Sequence, residues 1–193
     1  ASGDAKEAAN RLADALAAWS SFSMDADLKM RIARNSLWLA LLRQSHSEPE
    51  TAAAYAAARK AFAEVPRAEV DADRLDQLMA IMDYHEANLL ASTGQDTRAL
   101  EQLMRATQTL NRISDQRPDA VILRSELAAC YLSSATILEG IGSLGDAREV
   151  RTLATAELNR LLKDKPNDSG LRMDLAGCYG AMAEAAVLSG DVA

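Results

Sequence analysis

The chain has 193 residues and a net charge of −7, from 28 acidic and 21 basic side chains. This balance argues against a nucleic-acid-binding module, because such modules carry a basic surface that neutralises phosphates. Apolar residues make up 49% of the sequence and aromatic residues only 4%, and nine glycines and four prolines are too few for an all-β protein rich in tight turns. Because alanine, the strongest helix former, supplies much of the apolar fraction, the composition predicts an all-α protein.

The ends and the apolar runs predict neither a signal peptide nor a transmembrane segment. The chain begins ASGDAKEAAN, which is polar and charged. The longest run without Asp, Glu, Lys or Arg is the twelve residues 127–138, whereas a membrane-spanning helix needs about 20 apolar residues. Two cysteines are too few for a disulfide framework. We therefore expect a soluble, cytoplasmic protein without membrane insertion.

Apolar residues at three- and four-residue steps predict eight helices. The first, over 4–22, is expected to be a capping helix. The next two, over 26–45 and 49–64, are separated by the turn SHSEPE, and Pro49 suits the first turn of a helix. The other five are expected over the ranges 71–92, 96–115, 119–141, 146–164 and 168–189.

Turn and capping residues set the expected boundaries between the later helices. Gly94 is expected to take the left-handed conformation that ends many helices. Asp96 or Thr97 is expected to cap the helix that follows it. Pro118 is expected to end that hairpin, and Asp119 to cap the next helix.

The sequence repeats with a period of 48 residues. The segment LAACYLSSATILEGIG, which begins at Leu127, recurs without a gap as LAGCYGAMAEAAVLSG, which begins at Leu175. Each copy reads as two helices, and one such hairpin cannot bury its apolar stripe alone, so we expect stacked hairpins in one continuous domain. The expected parts are a capping helix (1–22), a divergent repeat (23–70), two further repeats (71–118 and 119–166) and the first helix of a truncated or capping repeat (167–193).

Positions that lie 48 residues apart form a column of the repeat. The columns that hold small residues resemble the tetratricopeptide repeat (TPR) family. Its spacing of a small residue, glycine, alanine and alanine occurs twice, in Ala87, Gly94, Ala99 and Ala106 and in Ala135, Gly142, Ala147 and Ala154. The usual repeat has about 34 residues, so this one is a longer variant. The resemblance implies a right-handed α-solenoid of stacked antiparallel helical hairpins with about eight helices. Such long, alanine-rich repeats are similar to arrays in bacterial signalling and scaffold proteins, including those attached to eukaryotic-type serine/threonine kinases.

The TPR resemblance also implies a binding groove on the first helices of the hairpins. Carrying the family's groove columns over to this sequence gives the candidates Ser36, Arg43, Tyr84, Asn88, Leu132, Thr136, Glu139 and Glu184. Only Arg43 among them is basic, so the carboxylate clamp of chaperone-binding TPRs is not expected. The alternative for each position is ordinary surface or packing between units.

These observations favour a non-catalytic protein–protein interaction scaffold that binds a peptide or a protein surface. A second hypothesis is a regulatory or sensor segment of a larger enzyme, such as a bacterial eukaryotic-type serine/threonine kinase. A third is a module that self-assembles through its open C-terminal edge. Because the last helix has no sequence partner, we expect either a longer array or another surface that covers this edge.

No motif predicts catalysis, a cofactor or a metal ion. Cys130 and Cys178 share a column on neighbouring helices about 8–10 Å apart, beyond the reach of a disulfide, and are expected to be small packing residues. Asp83, His85 and Glu86 lack a second histidine nearby and are expected to form an exposed, charged helix face. The methionines at 79, 82, 104, 173 and 182 are expected in the core, and Trp19 and Trp38 are expected to join the capping helix to the first hairpin.

Overall fold

A computed structural model describes residues 2–19, 25–44, 48–117 and 120–189. Within these ranges the chain forms eight α-helices, a short 3₁₀ helix at Arg67–Glu69 and no β-strand, which confirms the all-α prediction. Every helix boundary lies within three residues of its predicted position. The helices are α1 (Ser2–Trp19), α2 (Ala26–Arg43), α3 (Glu48–Ala63), α4 (Ala72–Ser92), α5 (Asp96–Gln116), α6 (Val121–Gly140), α7 (Leu144–Asp164) and α8 (Ser169–Ser189).

The second helix of each hairpin begins at the same point of the 48-residue period. Helices α3, α5 and α7 begin at Glu48, Asp96 and Leu144. They differ in length, because α3 ends at Ala63 whereas α5 and α7 end at Gln116 and Asp164. The period seen in the sequence therefore extends to the backbone, and among the second helices α3 departs from it by ending earlier.

The turns before α5 and α7 have the same backbone geometry. Gly94 and Gly142 have φ angles of 74° and 80°, which confirms the prediction that Gly94 is left-handed. In each turn the amide after the glycine donates to the carbonyl oxygen of a residue five positions earlier, over 2.9 Å in the first turn and 2.8 Å in the second. Gly190, the next residue of this column, lies outside the described residues.

Burial follows the same period. In the first helices, Met82, Cys130 and Cys178 share a column and are each 0% exposed. The two cysteines are thus packing residues, as predicted, and neither forms a disulfide. In the second helices three columns are exposed by 2% or less, formed by Thr51, Ala99 and Ala147, by Ala58, Ala106 and Ala154, and by Phe62, Leu110 and Leu158.

Aspartates cap three helices, but the predicted cap of α5 is wrong. Oδ1 of Asp25 accepts the amide of Leu28 over 2.8 Å, and Asp71 and Asp168 accept amides at the starts of α4 and α8. The residue before α5 is Gln95, whose side chain makes no capping hydrogen bond. Asp96 is already the first residue of that helix, one position too late to cap it. Pro118 and Asp119 lie outside the described residues.

The chain divides into two compact units, residues 1–89 and residues 90–193. In unit 1, α1 packs against α2 and α2 against α3, and one core joins α2, α3 and the first part of α4 through residues that include Leu37, Tyr55, Phe62 and Met82. In unit 2, α6 packs against both α5 and α7, and α7 packs against α8. Its core includes Ala128, Ala154, Leu158, Leu161 and Cys178.

The expected methionine and tryptophan core forms only in part. Met82 is fully buried and Met79 packs against the core of unit 1, as predicted, and Met182 is half-buried. Met104 and Met173 are instead 54% and 75% exposed, and Trp38 is 55% exposed. The predicted anchoring role holds better for Trp19, since the guanidinium of Arg31 lies 6.0 Å from its ring centroid and links α1 to α2.

One helix of the described chain, α6, is long and apolar enough to cross a membrane on length and composition alone. The uncharged run 127–138 is shorter than this helix, because the apolar window of α6 also includes up to two charged residues. The signal is weak, since the core helix of a soluble protein produces it too, and 33% of this window is buried inside the protein. The charged residues Arg124 and Glu139 at the two ends of α6 form ion pairs with α7.

Candidate partner-binding surface

Four of the eight predicted groove residues lie in unit 1. Ser36 on α2 is 8% exposed, and Arg43, the last residue of that helix, is half-buried. Tyr84 and Asn88 are both partly exposed and lie one turn apart on α4. The ring of Tyr84 meets that of His85 edge to face, with centroids 4.8 Å apart. Within this unit, α4 therefore presents an aromatic and an amide side chain on adjacent turns.

The other four candidates lie in unit 2 and are less uniform. Leu132 packs against the apolar core of that unit, and the carboxylate of Glu139 binds Arg151 of α7. Thr136 is exposed, and its hydroxyl donates to the carbonyl oxygen of Leu132 over 3.0 Å. Glu184 on α8 is exposed. Thr136 and Glu184 are therefore the accessible members of this set.

The expectation that Asp83 and Glu86 form an exposed charged face is wrong. Both carboxylates bind Arg59 of α3, whose Nη2 donates to Oδ1 of Asp83 over 2.7 Å and also contacts Oε2 of Glu86. Asp83 is only 9% exposed. Burial alone would lower the pKa of Arg59, but hydrogen bonds to Glu86 and Asp83 raise it above its ordinary value. The pair of carboxylates thus holds α3 to α4.

A buried tyrosine lies close to this charge cluster. Tyr55 is 0% exposed, and its hydroxyl accepts a hydrogen bond from Nε2 of Gln44 over 2.6 Å. Burial raises the pKa of Tyr55 far above its ordinary value, although the bond from Gln44 lowers it in part. The negative charge of Glu86 adds to the increase. The phenol therefore stays neutral, and its role is to fix the end of α2 to α3.

His85 follows Tyr84 on α4 and is partly buried. Burial lowers its pKa below the ordinary value of 6.5, because a charged imidazole loses hydration in this environment. No other side chain of the described residues joins it in a cluster that could hold a metal ion, since groups of three or more His, Cys, Asp or Glu are absent from those ranges. Burial within α4 therefore favours the neutral form of the His85 imidazole.

Two ion pairs bind α6 to α7. Nε of Arg151 donates to Oε1 of Glu139 over 3.1 Å, and Arg124 lies 3.5 Å from Asp164. Arg151 is only 7% exposed and occupies the repeat column that Tyr55 and Leu103 fill in α3 and α5. The sequence shows that an arginine stands in this column, but the burial of its charge against Glu139 became apparent only in the structure.

No protein-family model matches the chain, and no curated protein and no solved structure is significantly similar to it.

Proposed function

We propose that the chain is a non-catalytic protein–protein interaction module that binds a peptide or a protein surface. In this proposal its helices stack as a right-handed, TPR-like solenoid of the cytoplasm, and the partner lies along the first helices of the hairpins. Repeat solenoids bury one continuous core and leave an extended face for binding. The family assignment and the binding role are both part of the proposal.

The observation that carries this proposal is the period of the backbone. The starts of α3, α5 and α7 recur every 48 residues, and the same three columns, filled mainly by alanine and leucine, are buried in each. A chain built from such hairpins gains its core from neighbouring copies rather than from a closed centre. Its first helices are then free to carry side chains for recognition.

Three of the eight candidate residues are already packed or paired, which reduces the proposed contact surface to the other five. Ser36 and Leu132 are engaged in packing, and Glu139 is engaged with Arg151. The remaining candidates are Arg43, Tyr84, Asn88, Thr136 and Glu184, which are exposed or half-buried. Tyr84 and Asn88 are the strongest pair, because a tyrosine offers a large contact area and an asparagine can bond to a peptide backbone from the next turn.

A pull-down with three purified forms of the chain tests the proposal. The wild-type form is compared with the double variant Tyr84→Ala/Asn88→Ala and with a matched variant, Thr152→Ala/Leu153→Ala, on the exposed side of α7. We expect the wild type and the matched variant to recover the same partner and the Tyr84/Asn88 variant to lose it. Equal recovery by all three forms, with melting temperatures preserved, would refute the proposed contact surface.

A further inference from the structure

One side of α4 carries accessible side chains in a straight row. Arg74, Ile81 and Asn88 follow one another at seven-residue steps, which place them on the same side of a helix, and Tyr84 lies one turn before Asn88. Arg74 is exposed, and the other three are partly exposed. Helices α5 to α8 follow α4 in the described chain, and this side remains accessible in their presence. We call these four residues the α4 row.

The α4 row holds polar groups that the protein itself does not use. Within the described residues, neither the side-chain amide of Asn88 nor the hydroxyl of Tyr84 makes a hydrogen bond, and the contact of Tyr84 is the one between its ring and that of His85. An amide side chain offers donors and an acceptor, and a phenol offers both in one group. The row can therefore pair with the N–H and C=O groups of a peptide backbone.

Arg74 is the charged residue of the row, and in the described part of the chain no carboxylate forms an ion pair with it. Its Nη1 donates to Oε1 of Gln77 over 2.7 Å, and this acceptor is neutral. The other members of the row are uncharged side chains. The row therefore has one positive end, at the start of α4, and a neutral remainder.

Three of the four carboxylates of α4 bind arginines elsewhere in unit 1. Asp83 and Glu86 bind Arg59 of α3. Oδ2 of Asp76 accepts a hydrogen bond from Nη2 of Arg67 over 2.6 Å. Because these carboxylates are occupied, the positive end of the α4 row is left without an opposite charge.

We propose that the α4 row binds an extended peptide segment of a partner protein, with a side-chain carboxylate of that segment at the Arg74 end. This inference rests on the proposed function and deepens it by naming the chemistry of the partner. A guanidinium and a carboxylate form charge-assisted hydrogen bonds, and the side chains of Ile81 and Tyr84 offer apolar contact area between the two ends of the row. A single carboxylate matches the single free charge, whereas a polyanion is repelled by the net charge of −7 on the chain.

The length of the row sets the length of the bound segment. Arg74 and Asn88 are 14 residues apart, so the row is about 21 Å long at a rise of about 1.5 Å per residue. An extended chain advances about 3.3 Å per residue, so about six residues span this distance. The carboxylate should therefore lie at one end of a six-residue segment, and an apolar residue should lie near its middle.

Pools of synthetic hexapeptides provide a defined probe. Each pool is acetylated and amidated, which removes the terminal charges, and it fixes Glu, Gln, Lys or Leu at one position while the other positions vary. Binding of pools that carry an uncharged fluorophore is measured by fluorescence anisotropy at low salt, where charge pairs are least screened. We expect Glu to bind at least about threefold more tightly than Lys at one terminal position, and Leu to bind best at the middle positions.

Two charge-reversal variants locate the carboxylate on the chain. Arg74→Glu should change the preference at that terminal position from Glu to Lys. The matched control is Arg98→Glu on α5, because Arg98 is also exposed and also donates to a neutral glutamine, Gln95. The control alters the net charge equally and should keep the preference for Glu. A wild type without this preference, or the same change in both variants, overturns the proposal.

The double variant Tyr84→Ala/Asn88→Ala separates this proposal from the proposed function. If it loses the pools that the wild type binds, but the wild type does not distinguish Glu from Lys, the contact surface stands and the carboxylate partner is refuted. If the wild type and the double variant bind the pools equally, or if neither binds any pool, both proposals are refuted. Melting temperatures of all variants confirm that each is folded.

Two other occupants of the α4 row have distinct signatures. If a second copy of the chain covers it, light scattering shows a dimer that Arg74→Glu dissociates, and the proposal of a partner peptide is overturned. If a nucleic acid covers it, labelled oligothymidylate binds to the wild type and not to Arg74→Glu, and the proposal is again overturned. A monomeric chain that selects Glu through Arg74 supports it.

Discussion

Asn111 of α5 donates its side-chain amide to the hydroxyl of Tyr131 of α6 over 3.0 Å, and this bond ties α5 to α6 within unit 2. Tyr131 is equivalent to Tyr179 in the repeat, but Tyr179 is 52% exposed. Tyr131 therefore makes a contact between helices, whereas Tyr179 lies in the same column at an exposed surface. The two tyrosines form a matched pair for mutation.

Removing the Tyr131 hydroxyl should destabilise the protein, whereas the same change at Tyr179 should not. A net hydrogen bond of this kind contributes about 0.5–1.5 kcal/mol to the free energy of unfolding, so Tyr131→Phe should lower it by that amount. Tyr179→Phe at an exposed position should change it by less than about 0.5 kcal/mol. Urea denaturation of both variants measures the difference. Equal effects would mean that the Asn111–Tyr131 bond contributes nothing to stability.

Replacing glycine with alanine should destabilise the protein in the two turns and stabilise it in α8. Gly94 and Gly142 have positive φ angles, where a Cβ atom costs about 1 kcal/mol or more, although no atom lies within 4 Å of the added carbon. Gly177 lies within a helix and also has open space around it, so Gly177→Ala should stabilise by up to about 1 kcal/mol. Thermal denaturation of the three variants separates backbone strain from steric crowding. A stabilising Gly142→Ala would contradict the left-handed turn.

Breaking the contact between Arg59 and its two carboxylates should cost more than breaking an exposed ion pair. Arg59→Leu leaves Asp83, whose side chain is 12% exposed, without this cation. Because the arginine itself is 41% exposed, we expect a loss of about 1–2 kcal/mol, below the value for a fully buried pair. The control is Arg11→Leu, which removes a pair whose side chains are 79% and 63% exposed, and it should cost less than about 0.5 kcal/mol. Chemical denaturation curves that give equal losses would refute a stabilising role for the α3–α4 cluster.

His85 should make stability depend on pH. Burial lowers its pKa in the folded protein, so the unfolded chain, with the ordinary value of 6.5, binds the proton more readily. The free energy of unfolding should therefore fall as pH decreases through 6.5, since unfolding then takes up a proton. Replacing the imidazole in His85→Gln should remove this part of the pH dependence, as measured by melting temperatures between pH 5 and pH 8. An unchanged profile in the variant would show that His85 is not the titrating group.

The sequence predicted the helices well because their signals are local. The periodic alanines and leucines and the turn glycines repeat three times. Because the copies are in register, a helix is still predicted where one copy departs from the pattern at a single position. The starts of α3, α5 and α7 lie within two residues of their predicted positions for this reason. The buried cysteine column was predicted by the same logic, since its members share their neighbours in each copy.

The contacts between helices could not be predicted in the same way. Arg59 precedes Asp83 by 24 residues, and no local spacing links side chains on separate helices. Exposure also changes sharply between neighbouring positions of one helix, because successive residues are rotated by about 100°. Met104 is 54% exposed although Leu103 beside it is 0% exposed. A methionine in an apolar sequence context is therefore a poor indicator of the core.

Buried Arg151 disfavours incorrect pairing between the similar helices of this chain. The acceptor of Arg151 is Glu139, and the corresponding residues of the other first helices are Arg43, Ala91 and Val187. If α7 packed in this register against any of those helices, the guanidinium would meet an alanine, a valine or another arginine. A buried charge without its partner costs several kcal/mol, so the mispaired forms are penalised during folding. The single charged residue in this column thus favours the pairing of α7 with α6 over its pairing with the other, similar first helices.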